Sequence, residues 1–431
     1  MLAEFSGALI NSLAGFAAVG HLAPVNHRDD TAYGSLRQAA RHGPVDLVLI
    51  CGPAKECPRV LAEAAAAGAG AAVIYGDGSG YRSTIADTAA ETGIRLLGPN
   101  TSGFLAPHAD LMATFLPGAE RIRPGGVAVV ATRGGISHSL ACALTDAGFG
   151  ISLAVGLDNS VDITVSDVLG HLVDDPATRA VALHLEPSAG LDERVLAGVR
   201  GLSATRPVVV SAAARTVRGA LTDAGAVVVN HERELVEAVG ALATTRAKPA
   251  GDPRAGVVAA RADMPVLAGL LRERGVRIAE FAAPYRNPAD FRRALRVVAA
   301  DPGVDVIAAC VPAGTDVADL ARATDALRTA DVPVVLGLRG TAEAVRRLRR
   351  GTSHAGITVV SDPLGVMSAM AAARAVTEAD AVAVLRCRQA LLDAGIVVVG
   401  DLPGVATAVG ALTADARVAT RQPSATRPVP G

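Results

Sequence analysis

Short, mostly apolar runs separated by helix-length Ala/Leu segments set the pattern of the chain from residue 22 onward. Leu22 to Asn26, Leu47 to Cys51, Ala71 to Tyr75 and Ile94 to Leu97 have this run character, without the alternation of a strand that faces water on one side. Runs apolar on both faces are the pattern of parallel strands covered by helices on either side. The spacing predicts an open, Rossmann-like α/β sheet. The apolar stretch before it predicts a buried helix over about residues 3 to 18, and the strand and glycine-rich turn that ordinarily open a nucleotide-binding half do not precede it.

Beyond a polar, glycine-containing linker at Arg121 to Gly126, the same strand-helix rhythm runs twice more, from Val127 and from about Gly256. The two series correspond in sequence. VVATRGGISHSLACALTDAGFGI (129–151) matches VVAARADMPVLAGLLRERGVRI (257–278), and VLGHLVDDPATRAVALHLEP (168–187) matches ALRVVAADPGVDVIAACVPA (294–313). GAVVVNHERELVEAVGAL (225–242) is set against GITVVSDPLGVMSAMAAA (356–373) as the closing strand and helix. A repeat of roughly 130 residues is too long for a solenoid unit and describes two copies of one doubly wound domain. The expected division is 1–120 for the first domain, 126–246 and 254–375 for the two copies, 376–415 for a further helix-strand unit too short to fold alone, and 416–431 for a disordered tail.

Composition narrows the chemistry. Half the residues are hydrophobic but only 3% aromatic, with 45 glycines, which suits small-residue packing of helices on strands. The 41 basic and 42 acidic residues balance, so no global field draws the chain to nucleic acid or to an anionic membrane. Only Lys55 and Lys248 are lysines, which leaves little for Schiff-base chemistry. The five cysteines lack the close pairs of a zinc site or disulfide framework. No positive charge precedes the N-terminal apolar stretch, where a secretion signal would have one, and no membrane span is expected. A cytoplasmic location follows as the expectation.

Two loops at strand ends carry the candidate chemistry. Gly98, Pro99, Asn100, Thr101, Ser102 and Gly103 follow one strand, at the edge where open α/β sheets bind ligands. Thr132, Arg133, Gly134, Gly135, Ile136 and Ser137 form a strand-to-helix turn whose backbone N–H groups and positive helix end suit a phosphate or carboxylate, with Arg133 adding charge. Taken singly, either loop reads as readily as a tight turn. GxSxG, the P-loop pattern and HExxH are absent, which removes serine hydrolase, P-loop kinase and zinc protease readings.

PVN at Pro24 to Asn26, VDLVLICGPA (45–54), GIRLLGPNTSG (93–103), ATRGGIS (131–137), DNSVDITVSDVLGHLVDDP (158–176) and HLEP (184–187) stand in the order seen in NDP-forming acyl-CoA synthetases. The chain resembles that family and the α subunits of succinyl-CoA synthetase. NPADFRRALRVVAADPGVDVIAACVP (287–312) resembles the family's third domain, and TEADAVAVLRCRQALLDAGIVVVGD (377–401) resembles the opening of its ATP-grasp domain. The resemblance implies a Rossmann-like CoA-binding domain followed by two flavodoxin-like domains. It implies CoA or acyl-CoA as ligand, held at Pro24, Val25, Asn26, Gly52, Pro53, Gly98, Pro99, Asn100 and Thr101, with Thr101 where the family usually has Cys or Ser. The 132–137 turn resembles the family's Ser-Gln-Ser-Gly loop.

The family phosphorylates a histidine on a loop of the second domain. Here RPVVVSAAARTVRGALTDAGAVVVN (206–230) passes from the strand before that loop straight into the helix after it. Glu186 matches the glutamate that orients the phosphohistidine, and His138 and His184 are substitute candidates, beside His231 and His354. The resemblance implies ATP or ADP with Mg only through a partner chain of ATP-grasp, β-subunit type, and a homo- or hetero-oligomer. Three functions are expected in turn: an NDP-forming acyl-CoA ligase-like subunit, a non-catalytic or repurposed CoA-binding protein, and an acyl or carbamoyl transferase working from the two helix ends without a phosphoenzyme.

Overall fold

The computed structural model describes residues 8–13, 22–26, 32–186, 191–212, 215–244, 252–311, 332–338, 397–399 and 402–421. It divides into two compact units, the first made of residues 1–145, 150–202 and 210–218 and the second of residues 146–149, 203–209 and 219–431. Three sheets organise the described residues.

The first sheet is parallel, with order β1 (Leu47–Ile50), β2 (Ala71–Ile74), β3 (Arg95–Leu97). Helices Cys57–Ala66 and Arg82–Thr92 pack on each other and on this sheet, burying Leu61, Ile74, Ile85 and Leu96 completely. Residues 8–13 are helical, within the helix expected there. Leu22 to Asn26 departs from expectation, because it is not a strand: Val25 makes only an isolated bridge to Tyr33. Pro24 brings no amide to a ladder, and Val25 and Asn26 face solvent instead of a core.

The second sheet has the order β10-β9-β8-β6-β7, with β6 (Pro124–Ala131), β7 (Ile151–Gly156), β8 (Ala180–Leu185), β9 (Val208–Ala212) and β10 (Val227–Val229). Counted from β6 this is the 2-1-3-4-5 winding of flavodoxin-like domains. β8 and β9 are buried along their whole length, as their uninterrupted apolar sequence requires. An antiparallel hairpin, β4 (Phe104–Ala106) and β5 (Leu111–Ala113), extends the sheet beyond β7.

The third sheet has the order β12-β11-β13-β14-β15, with β11 (Arg254–Ala260), β12 (Arg277–Tyr285), β13 (Val306–Val311), β14 (Val334–Leu338) and β15 (Val397–Val399). Its winding is again 2-1-3-4-5, so the repeat read from the sequence is a repeat of topology. The fifth strand is a correction. GITVV (356–360) lies outside the described residues, whereas Val397–Val399, taken from the sequence as part of an ATP-grasp opening, pairs in parallel with Val335–Gly337. Helix Leu402–Arg421 follows it and packs against helix Glu232–Thr244, helix Met264–Glu273 and strands β13 and β14. The described part of 376–415 therefore closes the third sheet. Residues 416–421, expected in the disordered tail, belong to this helix, and 422–431 lie outside the described residues. No helix among the described residues is long and apolar enough to cross a membrane.

Candidate functional site

The turn after β3 is held by close backbone approaches. Gly98 has φ +97°, and a Cβ there would lie 2.4 Å from the Ile74 carbonyl oxygen. Only glycine fits. Asn100 is also left-handed, at φ 62°, and its N–H donates to the Gly76 carbonyl at 2.6 Å. Pro99 lies against Gly78 so tightly that a Cβ on Gly78 would stand 2.6 Å from Pro99 Cγ. Gly52, at the end of β1, neighbours Gly76 across the same edge of the sheet. The exits of all three strands thus meet around Gly52, Pro53, Gly98, Pro99 and Asn100. The bonds described at Pro24–Asn26 are local: Asn26 N–H donates to the Tyr33 carbonyl, and Tyr33 N–H to that of Pro24, each at 2.9 Å.

Thr101 is 2% exposed, and its hydroxyl is fully used. Oγ1 donates to the Gly156 carbonyl at 2.6 Å and accepts the Gly103 N–H at 2.9 Å. A hydroxyl so engaged is a fastener, not a reactive group.

At the carboxyl ends of β6 and β8, Thr132 N–H donates to the His184 carbonyl at 3.1 Å, and Thr132 Oγ1 accepts the Glu186 N–H at 2.9 Å. The Arg133 guanidinium reaches Glu186 Oε1 at 3.0 Å. The loop read as anion-binding and the glutamate read as a histidine's partner are therefore one constellation. The first turn of helix Gly134–Asp146 closes on the Arg133 carbonyl through the N–H groups of Ile136 and Ser137. A Cβ on Gly52 or on Gly135 would meet nothing within 4 Å. Neither glycine is required by internal packing, and both leave open space above a strand end, which is what a ligand approaching the backbone needs.

Two of the candidate histidines are buried within regular elements. His138 is 8% exposed, with Nε2 at 2.8 Å from the Pro117 carbonyl and 3.6 Å from Cys142 Sγ. His184 is equally buried, inside β8. Neither can be a swinging carrier, because burial within a helix or strand forbids the travel that a carrier requires. His231 is exposed just after β10, and His354 lies outside the described residues. Burial is the chief cause holding the His138 pKa below its usual 6.5. The unfolded chain then binds a proton that the folded chain resists, so stability is complete above pH 6.5 and declines as pH falls below it. Urea midpoints between pH 7.5 and 5.5 should show this decline, and His138→Gln, which keeps a donor for Pro117, should flatten it; an equal slope in both proteins would discard the assignment.

What the sequence reading did not single out is the segment that joins the two loops. At the end of β7, the Gly156 carbonyl accepts from Thr101 and Gly156 N–H donates to the Gly103 carbonyl at 3.4 Å, and just beyond it Leu157 N–H donates to the Ala131 carbonyl at 2.8 Å. Farther on, Val161 and Ile163 donate to the carbonyls of Gly98 and Leu96 at 3.1 and 3.2 Å. Asp162 Oδ2 accepts from Leu96 N–H at 2.7 Å and from Arg95 Nε at 3.0 Å. Thr164 then caps helix Val165–Asp174 in a reciprocal box with Asp167, fixing the far end of the segment. Ser102 and Gly103 of one loop lie close to Ser137 and His138 in the first turns of helix Gly134–Asp146. The DNSVD stretch (158–162), legible only as a family pattern, was the available signal. Among the described residues no group of His, Cys, Asp and Glu could hold a metal ion.

Two stretches of the chain match known families. Residues 8–107 match a CoA binding domain, and residues 124–224 match the succinyl-CoA ligase like flavodoxin domain. The chain thus carries a CoA binding domain followed by a flavodoxin-like domain of the succinyl-CoA ligase kind, and it is related to the ADP-forming acyl-CoA ligases. It is 31% identical over 186 residues to the acetate–CoA ligase [ADP-forming] I subunit alpha of Pyrococcus furiosus, covering 41% of this chain and 39% of that one. It is 24% identical over 351 residues to the acetate–CoA ligase [ADP-forming] II subunit alpha of the same organism, covering 68% and 75%. With the ADP-forming sulfoacetate-CoA ligase subunit SqwL of an Acholeplasma species it shares 26% over 232 residues, covering 51% and 78%. The matched region spans well under half of the first of these relatives. The fold is shared with the dinucleotide forming acetyl-coenzyme A synthetase 1 of Ca. Korarchaeum cryptofilum, at a TM-score of 0.74 and 19% identity over 96% of this chain and 93% of that one.

Proposed function

We propose that the chain is the CoA-binding, α-type subunit of an NDP-forming acyl-CoA ligase, taking CoA or an acyl-CoA and working with a separate ATP-grasp partner that holds ATP or ADP with Mg. The observation that carries this reading is the joining of the 98–103 and 132–137 loops through Gly156 and Leu157, which sets a CoA-type strand-end cradle beside a cationic helix N-terminus. In such a site the thiol sulfur of CoA attacks the carbonyl of an acyl phosphate, the C–S bond forms as the C–O bond to the phosphate oxygen breaks, and inorganic phosphate leaves carrying the thiol proton. Arg133 and the amides at the start of helix Gly134–Asp146 would receive the departing charge. The α-subunit names of several relatives support the partner chain.

A second reading, a CoA-binding protein without phosphoryl transfer, is favoured by the path after β9. That strand ends at Ala212 and the next helix begins at Arg215, leaving two residues where the family carries its histidine loop. Glu186, the partner such a histidine would need, is engaged by Arg133. Labelled ATP added with a neighbouring ATP-grasp protein separates the two: acid-labile label on this chain supports the ligase, and none, with CoA still bound, supports the second. Calorimetry with CoA and acetyl-CoA tests both, since no heat at millimolar ligand would remove the common CoA assignment. Arg133→Ala should weaken CoA or phosphate binding by about ten- to a hundredfold, as expected for loss of a charge-assisted bond of roughly 1.5–3 kcal/mol. The melting temperature should hold, because the Arg133 side chain is 63% exposed and its ion pair is open to solvent on that side. Unchanged affinity with a fallen melting temperature would make Arg133 structural only.

A further inference from the structure

We propose that Asp162 is the positioning residue that fixes the 98–103 loop for CoA, an inference that rests on the CoA reading above. β3 is an edge strand of the first sheet. Arg95 N–H points inward, to the Gly70 carbonyl, so the next amide along the strand, that of Leu96, points out of the sheet. Leu96 is completely buried, which leaves that N–H no ready access to water, and an unanswered amide there would be costly. The acceptor is the Asp162 carboxylate, at 2.7 Å.

Around that bond, residues 161–163 run along the outer edge of β3 in the manner of a missing strand. Ile163 donates to the Leu96 carbonyl and Val161 to that of Gly98. A carboxylate thus takes the place of a backbone carbonyl in the ladder, one residue before Leu97 leads into the Gly98 turn. Arg95 Nε, at 3.0 Å from the same oxygen, orients the carboxylate from outside, where its side chain is 56% exposed. The amide bond is enclosed and the ion pair is not, so the amide bond should carry most of the effect. Asp162 itself need not touch CoA. Its role is to hold Leu96 so that the left-handed residues Gly98 and Asn100 present the loop in one geometry.

The test compares Asp162→Ala, Asp162→Asn and Arg95→Ala with the native chain, by CoA calorimetry, thermal melting and amide exchange of the ligand-free proteins. Asp162→Ala should lower CoA affinity at least tenfold and speed exchange over residues 96–103 at least tenfold, while the β6–β8 amides keep their protection. Asp162→Asn retains an oxygen for the Leu96 N–H, and Arg95→Ala retains the carboxylate; both should stay within about threefold of native affinity. A role confined to stability would shift melting and leave affinity alone, and that result overturns the proposal. So does an Asp162→Asn protein as weak as Asp162→Ala. If the native chain takes up no CoA, the CoA reading fails. The exchange measurement then stands by itself, because unchanged exchange over 96–103 in the alanine variant, or in the asparagine variant should the alanine one not fold, would show that Asp162 positions nothing.

Discussion

A chain ended at residue 396 is expected to lose the third sheet as a folded entity. The cut removes β15, which covers the edge of β14, and with it helix Leu402–Arg421. That helix buries Val405, Ala406, Ala408 and Val409 completely and Leu412 to 2% exposure, against helix Glu232–Thr244, helix Met264–Glu273 and the inner strands. At roughly 1.5–3 kcal/mol for each large apolar side chain, Val405, Val409 and Leu412 alone contribute about 5 kcal/mol or more. That is comparable to the entire stability of an ordinary domain. The truncated chain should therefore show early protease cleavage across residues 254–311 and an added low-temperature transition on melting. Val409→Asp in the full chain should produce the same change through a buried, unpaired charge. Retention of the native urea midpoint by either protein would mean that the segment is only lodged there.

The second large effect is expected at Gly103. Its φ is +86°, and a Cβ would fall 1.8 Å from the Ala113 carbonyl oxygen and 3.0 Å from the Tyr75 ring. Neither neighbour can retreat. Ala113 lies in β5, paired with Phe104, and its carbonyl accepts from Tyr75 Oη at 3.0 Å. Tyr75 is itself enclosed, edge-on to Phe115, and burial raises its hydroxyl pKa well above 10. Gly103→Ala should accordingly cost about 3 kcal/mol or more, combining left-handed strain with a backbone collision. Because Gly103 N–H holds Thr101 and its carbonyl meets Gly156, any protein that folds should also bind CoA at least tenfold more weakly. Gly135→Ala, with open space around it, is the matched control for stability. Equal midpoints for the two variants would contradict this account.

The strands that run apolar throughout could be read from the sequence because burial on both faces leaves no polar position to confuse the period. β6 and β8 are such cases, and the doubled 2-1-3-4-5 winding follows from the repeat. The place beside β14 is taken by a strand that the repeat did not assign to it, for a physical reason. GITVV and GIVVV are equally good strand sequences, and pairing decides between them through long-range contacts that no local pattern encodes. A cue was present: AVGAL occurs at 238–242 and again at 408–412, each time in the helix after the fifth strand. The two glycine loops were legible as strand-end turns, and their convergence was not. It runs largely through carbonyls and amides of residues 156–163, which bond to the backbone of both loops, with the Asp162 carboxylate beside them. His138 looked available because it follows a glycine turn, but its helix turns it inward to Pro117.

The hairpin Phe104–Ala113 gives the molecule an awkward seam. The CoA binding match ends at residue 107, between β4 and β5, and the flavodoxin match begins at 124, yet both strands are hydrogen-bonded into the flavodoxin sheet through β7. The stretch of sequence that is inherited as a module and the stretch that docks as a piece of architecture do not coincide. A transplant of the first module that is joined at 107 would bring one strand of the pair and leave the other behind with a bare edge. Chimeras should instead be joined between residues 114 and 123, and the recipient must supply a strand that can accept Phe104 and Leu105 as β7 does.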